Sequence, residues 1–222
     1  AGVSVDAVVS DQSDYTARAS ATLAAALGVK GQDLALIDAC TNKYSMRRRL
    51  HSAVPDLIPA FRHFDDPGAA LSYALMQEAP QVVKPVQSQG SRGVRLLRPG
   101  AERDLVERAF ALSDDRGVLV EQAIFGREYS VDGYVSNGEL LPLAISAKSQ
   151  YSGNECLDER LDFLRSLYAE AEGPLVAAVR RIVAALGISF GIIHAELFAE
   201  GNDVTLVEIA LRGGGSAISS VV

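Results

Sequence analysis

Cysteine is almost absent: Cys40 and Cys156 are the only two among 222 residues. That number cannot build a disulfide framework, and their spacing fits no zinc motif, so the expectation is two free thiols in a reducing, cytoplasmic compartment. A basic excess is lacking as well. Lys and Arg total 21 against 28 Asp and Glu, a net charge of -7, the opposite of a nucleic-acid binder's balance. No apolar run approaches the ~18 residues that a membrane span needs, and no basic stretch followed by an apolar one opens the chain. Internal repeats and Pro/Ser-rich linkers are missing too. Together these absences predict a protein that engages neither nucleic acid nor a membrane.

What is there is the composition of an ordinary globular protein, 48% hydrophobic and 22% charged, enough for one or two domains. The chain opens at Ala1 inside an extended run, Val3 to Val9, and ends at Val222 soon after a glycine run. Both ends read as cut, and the expectation is a piece of a longer protein.

Local patterns predict the elements. The opening run reads as a strand, followed by an Ala-rich helix from Tyr15 to Leu27 closed by Gly28. One helix is expected over 38–53, a short strand over 60–64, and a helix from Pro67 to Met76. Strands are predicted over 81–86 and 93–97, a helix over 101–113, and strands over 118–121, 128–135 and 139–147. Asn137-Gly138 forms the turn between the last two strands. The polar stretch 148–161 shows no period. A helix over 174–186, stopped by Gly187, and a final hairpin of 190–199 and 204–211 complete the pattern. Strand pairs alternating with helices indicate a mixed α/β protein of α+β character with antiparallel sheets. A domain boundary is expected near 54–59.

Three constellations carry chemistry. The first is Lys84-Pro85-Val86-Gln87-Ser88-Gln89-Gly90-Ser91-Arg92-Gly93-Val94. Glycines let backbone N–H groups turn toward an anion, serines add donors and Lys84 adds charge; an ordinary glycine-rich hairpin would look the same. The second is the last hairpin, where Glu196 and Glu208 lie equally far from Asn202 and so should oppose each other. Alternation would put Glu208, Ala210 and Arg212 on one face and Val207, Ile209 and Leu211 on the other. Two opposed carboxylates suit Mg2+ or Mn2+; a solvated Glu–Arg pair is the plainer alternative. The third is Val118 to Val131, a strand ending in Glu121, an apolar connection and a second acid that begins the next strand, where a flat base and a ribose could be read; a plain strand–turn–strand would look the same.

The ordered set now carries a resemblance. It comprises Asn42-Lys43 with Met46-Arg47; Lys84-Pro85, Ser88, Gly90-Ser91 and Gly93-Val94; Glu121-Gln122 with Gly126-Arg127-Glu128; and Gly191, His194-Ala195-Glu196, Glu208 and Arg212-Gly213-Gly214-Gly215. The chain resembles the ATP-grasp superfamily, in its carboxylate–amine ligase branch, from about Ala35 to Gly215. The resemblance implies two α/β subdomains holding ATP between them. A remnant of a Rossmann-like N-terminal domain would cover 1–37 and the ATP-grasp domain 38–222, with a small lid of about 55–122 and a larger subdomain of about 123–222.

It also implies roles. Lys43 and Lys84 would contact the phosphates under a loop of Ser88, Gly90, Ser91 and Gly93. Glu121, Gln122, Ala123 and Ile124 would read adenine, Glu128 would hold the ribose, and Glu196 and Glu208 would bind the divalent metal. Arg212 would stabilise the acyl phosphate, with His194, Gly213 and Gly214 at the substrate. Arg47 and Arg49 are expected to be solvated. Ala210 stands where many relatives carry a metal-ligating Asn. The implied activity is ADP-forming ligation of a small carboxylate to an amine, with homo-oligomerisation left open. The alternatives are a bicarbonate-using carboxylase of the same superfamily and a non-catalytic ATP-binding protein.

Overall fold

A computed structural model describes residues 4–98, 103–113, 117–151, 154–163 and 173–215. The first helix, α1 (Asp14–Leu27), starts where the Ser13 side chain accepts the Thr16 N–H and ends at Gly28 in the left-handed conformation. The single helix expected over 38–53 is two: α2 (Leu34–Thr41) and α3 (Lys43–His51). Asn42 is extended, with φ -92° and ψ 105°, and its side chain accepts the Ser45 N–H, so it ends one helix and caps the next. The predicted opening strand is reduced to one parallel bridge, Ala7 to Lys30. A strand needs a ladder of partners, and here Val5 and Val9 are exposed.

After a 3-10 turn at Pro55–Leu57 come β1 (Phe61–Phe64), α4 (Pro67–Leu75), β2 (Gln81–Pro85), β3 (Arg95–Leu97), α5 (Arg103–Ala111) and β4 (Val118–Gln122). Their strands form an antiparallel four-stranded sheet in the order β1-β4-β2-β3. It packs its own apolar cluster, Val83, Leu97, Val118 and Val120 against Ala70 and Ala74 of α4 and Val106 and Ala109 of α5.

The second sheet has five antiparallel strands in the order β7-β6-β5-β8-β9. These are β5 (Arg127–Ser136), β6 (Glu139–Tyr151), β7 (Asn154–Phe163), β8 (Phe190–Glu200) and β9 (Asp203–Ala210), with α6 (Pro174–Leu186) between β7 and β8. Asn137 and Gly138 turn the β5–β6 hairpin with φ of 52° and 82°. The described residues of the polar stretch without a period are strand: they complete β6 and begin β7. Register shifts at Ser149/Gln150 and Gln150/Tyr151 break the alternation that would have revealed a strand. The larger core joins this sheet to α6 and also to α1, α2 and α3, through Ala17, Ala21, Ile37, Met46 and Leu50.

Candidate nucleotide-binding cleft

Between the two sheets lies a cavity of about 820 Å3. From the larger body, α3 sends two cations into it. Met46 and Leu50 turn inward to the core, which leaves Lys43 and Arg47, one helical turn apart, on the neighbouring stripe. The Lys43 ammonium donates to the Ser88 carbonyl at 3.0 Å and lies 3.3 Å from Glu208 Oε2. The expectation that Arg47 is solvated is overturned: it is 1% exposed. Its Nε donates to Glu121 Oε1 at 2.7 Å, and its Nη2 donates to Glu121 Oε2 at 3.2 Å and to the Val207 carbonyl at 2.8 Å. Arg49, two residues on, is exposed as expected.

The four-stranded sheet supplies the opposite wall. Val118 and Val120 of β4 face the small core, so Glu121 points the other way and Lys84 of β2 meets it at 2.7 Å. Burial pushes the Glu121 carboxyl up, but Arg47 and Lys84 outweigh burial and hold it at about 2. Ser88, Gly90 and Ser91 line the cavity. Gly93 lines no part of it but makes the loop tight. Its φ is +79°, and a Cβ there would sit 2.7 Å from Pro85 Cγ. Beyond β4, the Gln122 N–H donates to the Ala60 carbonyl and the Ala123 N–H to the Pro80 carbonyl, both at 2.9 Å. Neither can serve a base edge without giving up that bond. Ile124, Phe125 and Gly126 continue the cavity wall.

The floor comes from the five-stranded sheet. Glu196 and Glu208 are direct neighbours across β8 and β9 and both line the cavity. The route to that pairing differs from the expected one. The turn holds two residues, Gly201 and Asn202, because Glu200 pairs with Asp203, and that register leads to Glu196 opposite Val207. A bulge between Glu196/Leu197 and the facing strand leaves Val207 unpaired and restores the Glu pair. Val207 therefore lines the cavity, against the expectation that it shares the apolar face, while Ile209 and Leu211 stay in the core. The carbonyl of Val207 is the one Arg47 binds.

Lys148, which the sequence analysis did not single out, sits buried on β6 between two of these acids, 2.8 Å from Glu128 Oε1 and 2.7 Å from Glu196 Oε1. A compositional signal was present: the chain has four lysines, Lys30, Lys43, Lys84 and Lys148, and the last three line the cavity. His194 stands opposite Asp132 in the ladder. Its Nδ1 is 2.8 Å from Asp132 Oδ1 and its Nε2 3.2 Å from Glu196 Oε1. Burial pushes the imidazole down, but the two carboxylates outweigh burial and hold it protonated up to about 9. Burial likewise opposes ionisation of Glu196, and His194 and Lys148 overcome it, so that carboxyl stays far below its usual range. Arg212 lines the cavity and donates through Nε to Asp14 Oδ1 and through Nη1 to the Gly213 carbonyl, both at 2.8 Å. Gly214 turns away, its N–H donating to Asp132 Oδ1 at 3.2 Å.

Among the described residues no group of three or more His, Cys, Asp or Glu side chains forms a ready-made metal cage. Two carboxylates on one face nevertheless fit a Mg2+-like cation that takes its other ligands from phosphates and water; Ala210 adds none.

A cleft between two antiparallel sheets, lined by lysines and paired acids, invites comparison with known proteins. The ATP-grasp domain family matches residues 77–220. The chain belongs to that family. Dapdiamide A synthase of Enterobacter agglomerans is 30% identical over 146 residues, covering 62% of this chain and 34% of that protein. The crystal structure of an L-amino acid ligase from Bacillus licheniformis superposes with a TM-score of 0.72 and 26% identity, covering 93% of this chain and 49% of that one. The D-Ala:D-Ser ligase of Enterococcus faecalis shares the fold, with a TM-score of 0.68 and 21% identity over 89% of this chain and 60% of that one. The chain thus spans between a third and three-fifths of these relatives. No helix among the described residues of this ATP-grasp domain is long and apolar enough to cross a membrane.

Proposed function

We propose that this chain is the nucleotide-handling part of an ADP-forming ligase that activates a small carboxylate as an acyl phosphate and joins it to an amine. The observation that supports the reading best is the cavity itself, where Lys43 and Lys84 approach from two walls over the opposed pair Glu196 and Glu208. In this reading residues 55–122 act as a lid over the larger subdomain, 123–222, and 1–37 remain from a preceding domain.

Phosphoryl transfer needs in-line positioning and neutralisation of charge on the transferred group. Lys43, Lys84 and the loop from Ser88 to Gly93 would hold the phosphates of ATP. The segment from Glu121 to Ile124 would hold adenine, and Glu128 the ribose. Glu121 itself is spoken for by Arg47 and Lys84, and the Gln122 and Ala123 N–H groups by the Ala60 and Pro80 carbonyls, so the base would be read by the other backbone groups of the segment. A divalent cation, Mg2+ or Mn2+, would be held by Glu196 and Glu208 and would neutralise phosphate charge. A substrate carboxylate oxygen attacks the γ-phosphorus and ADP leaves; the amine then attacks the acyl carbon and phosphate leaves. Arg212, a planar donor suited to paired contacts with an oxyanion, would stabilise the acyl phosphate. His194, held as a cation by Asp132 and Glu196, would favour an anionic substrate group. A closed loop would keep water from the acyl phosphate.

The test is substrate-dependent turnover of the full-length protein with ATP, Mg2+ and mixtures of amino acids. ADP and phosphate should appear in step with an amide product. Release of AMP and pyrophosphate, or labelled bicarbonate entering the product, would replace this reading.

A further inference from the structure

Asp14 opens α1, far from the cavity in sequence and outside the region matched by the ATP-grasp family. Its two carboxylate oxygens nevertheless reach two separate parts of the cleft. Oδ1 accepts from Arg212 Nε at 2.8 Å, across 198 residues, and Oδ2 accepts from Gln89 Nε2 at 2.9 Å, across 75 residues. Arg212 is the cation that follows β9, and Gln89 lies inside the glycine and serine loop. Asp14, Gln89, Arg212 and Lys43 also line one small polar pocket beside the main cavity.

We propose that Asp14 is a positioning residue that latches the phosphate loop shut and, through the same carboxylate, aims Arg212. The inference rests on the ligase reading only for the role of Arg212; the latch itself does not depend on it. Gln89 ties the loop to α1 through its side chain, while Lys43 holds the loop backbone through the Ser88 and Val86 carbonyls. Opening the loop breaks the Gln89 bond and leaves the Arg212 bond in place. Closing it puts both partners on one anion, so that loop position and guanidinium orientation are set together. A carboxylate is suited to this because it has an oxygen for each donor, and each bond is charge-assisted.

The loop carries its own reporter. Arg92 is exposed, whereas Gly93 after it is buried against Pro85 and Leu112, so trypsin can cut between them only when the loop opens. In the full-length protein, without substrates, Gln89→Ala and Asp14→Ala should each raise the rate of cleavage after Arg92 by about tenfold, the ratio expected for one hydrogen bond to a charged group. The double variant should be no faster than either single one, because both remove the same bond. Cleavage rates equal to the parent's, or increases that multiply in the double variant, would overturn the latch. Asp14→Asn guards against misfolding: it keeps an acceptor for Arg212, and a flipped Gln89 amide can accept from its NH2, so cleavage should stay within about threefold of the parent. In turnover, Gln89→Ala should act mainly on KM for ATP. Asp14→Ala should lower kcat as well, by a further tenfold or so, because it also frees Arg212. Equal kcat for the two variants would overturn the aiming of Arg212. A parent protein with coupled cleavage but no ligase turnover would instead remove the ligase reading and leave the latch standing.

Discussion

Glu121 is ionised inside the protein because two cations leave it no neutral alternative. Arg47 holds it with a forked pair of bonds, and Lys84 adds a third contact. Its depressed carboxyl, at about 2 against 4.5 unfolded, contributes stability that is complete above 4.5 and is lost as pH falls toward 2. Glu121→Gln should therefore flatten the acid limb of a plot of thermal midpoint against pH below about 4.5, while lowering the midpoint near pH 7. Removing Arg47 is more severe. Arg47→Ala strands Glu121 beside one lysine and leaves the bulge carbonyl of Val207 without its donor, a loss of roughly 3–5 kcal/mol for breaking a buried pair, readable by urea unfolding. Lys84, the third partner of this cluster, is the one that would also hold the phosphates. Lys84→Ala should weaken binding of a non-hydrolysable ATP analogue at least tenfold by calorimetry, since a hydrogen bond to a charged group is worth roughly 1.5–3 kcal/mol. Arg49→Ala, on the exposed side of α3, should leave that affinity within about twofold.

The β8–β9 hairpin shows how one strand irregularity serves several needs. Its bulge aligns Glu196 with Glu208, brings Val207 to the cavity and offers a carbonyl to Arg47. Glu208→Gln keeps the shape of the pair and removes one charge. It should cut Mg2+-dependent turnover at least tenfold without lowering the thermal midpoint by more than a few degrees. Ala210→Asn, which adds an oxygen donor on the same strand, should tighten Mg2+ binding when ATP is present, as measured by the Mg2+ concentration at half-maximal rate. At the other end of the hairpin, Gly191 has φ +114°, and a Cβ there would lie 2.3–2.6 Å from the Gln32 side chain. That side chain donates to the Ile192 carbonyl at 2.8 Å, joining β8 to the segment before α2. Gly191→Ala should cost about 1–3 kcal/mol in unfolding free energy through backbone strain, with a further loss if Gln32 is displaced.

The molecule as a whole is built from two apolar clusters of very different size with a polar cleft between them. The four-stranded sheet closes over a handful of Ala, Val and Leu side chains, whereas the five-stranded sheet shares a core with four helices. Fewer buried apolar contacts mean a lower free energy of local opening. Amide hydrogens of β2, β3 and β4 should therefore exchange faster than those of β5 and β8 in the unliganded protein. ATP with Mg2+ should slow exchange in β2 and in the loop after it most of all, because a nucleotide in the cleft ties the small sheet to the large one. Uniform slowing across both sheets would instead mean that the two move as one body without ligand.

Short-range chemistry settled much of this protein in advance. Gly28 and Gly187 stop their helices, Asn137-Gly138 turns its hairpin, and Pro67 opens its helix, since each effect reaches only a few residues along the chain. The glycine and serine loop was legible for the same reason; the two acids of the last hairpin do pair, but through the bulge at Val207 and not through a turn centred on Asn202, and the structure gathers loop and acids around one cavity. The resemblance to ATP-grasp proteins was legible because those short signals recur in a fixed order. Other features depended on packing between distant segments. Arg47 looked solvated beside Arg48 and Arg49, and only the approach of β4, 74 residues away, buries it against Glu121. Lys148 lay in a stretch whose alternation two register shifts had erased. Val207 left the apolar face because of a bulge that no local pattern announces. Asp14 had no signal in its own neighbourhood, because its partners are 75 and 198 residues distant. A side chain's rotation about its own helix or strand is written locally, but the charge it meets there is set by which other segment folds against it.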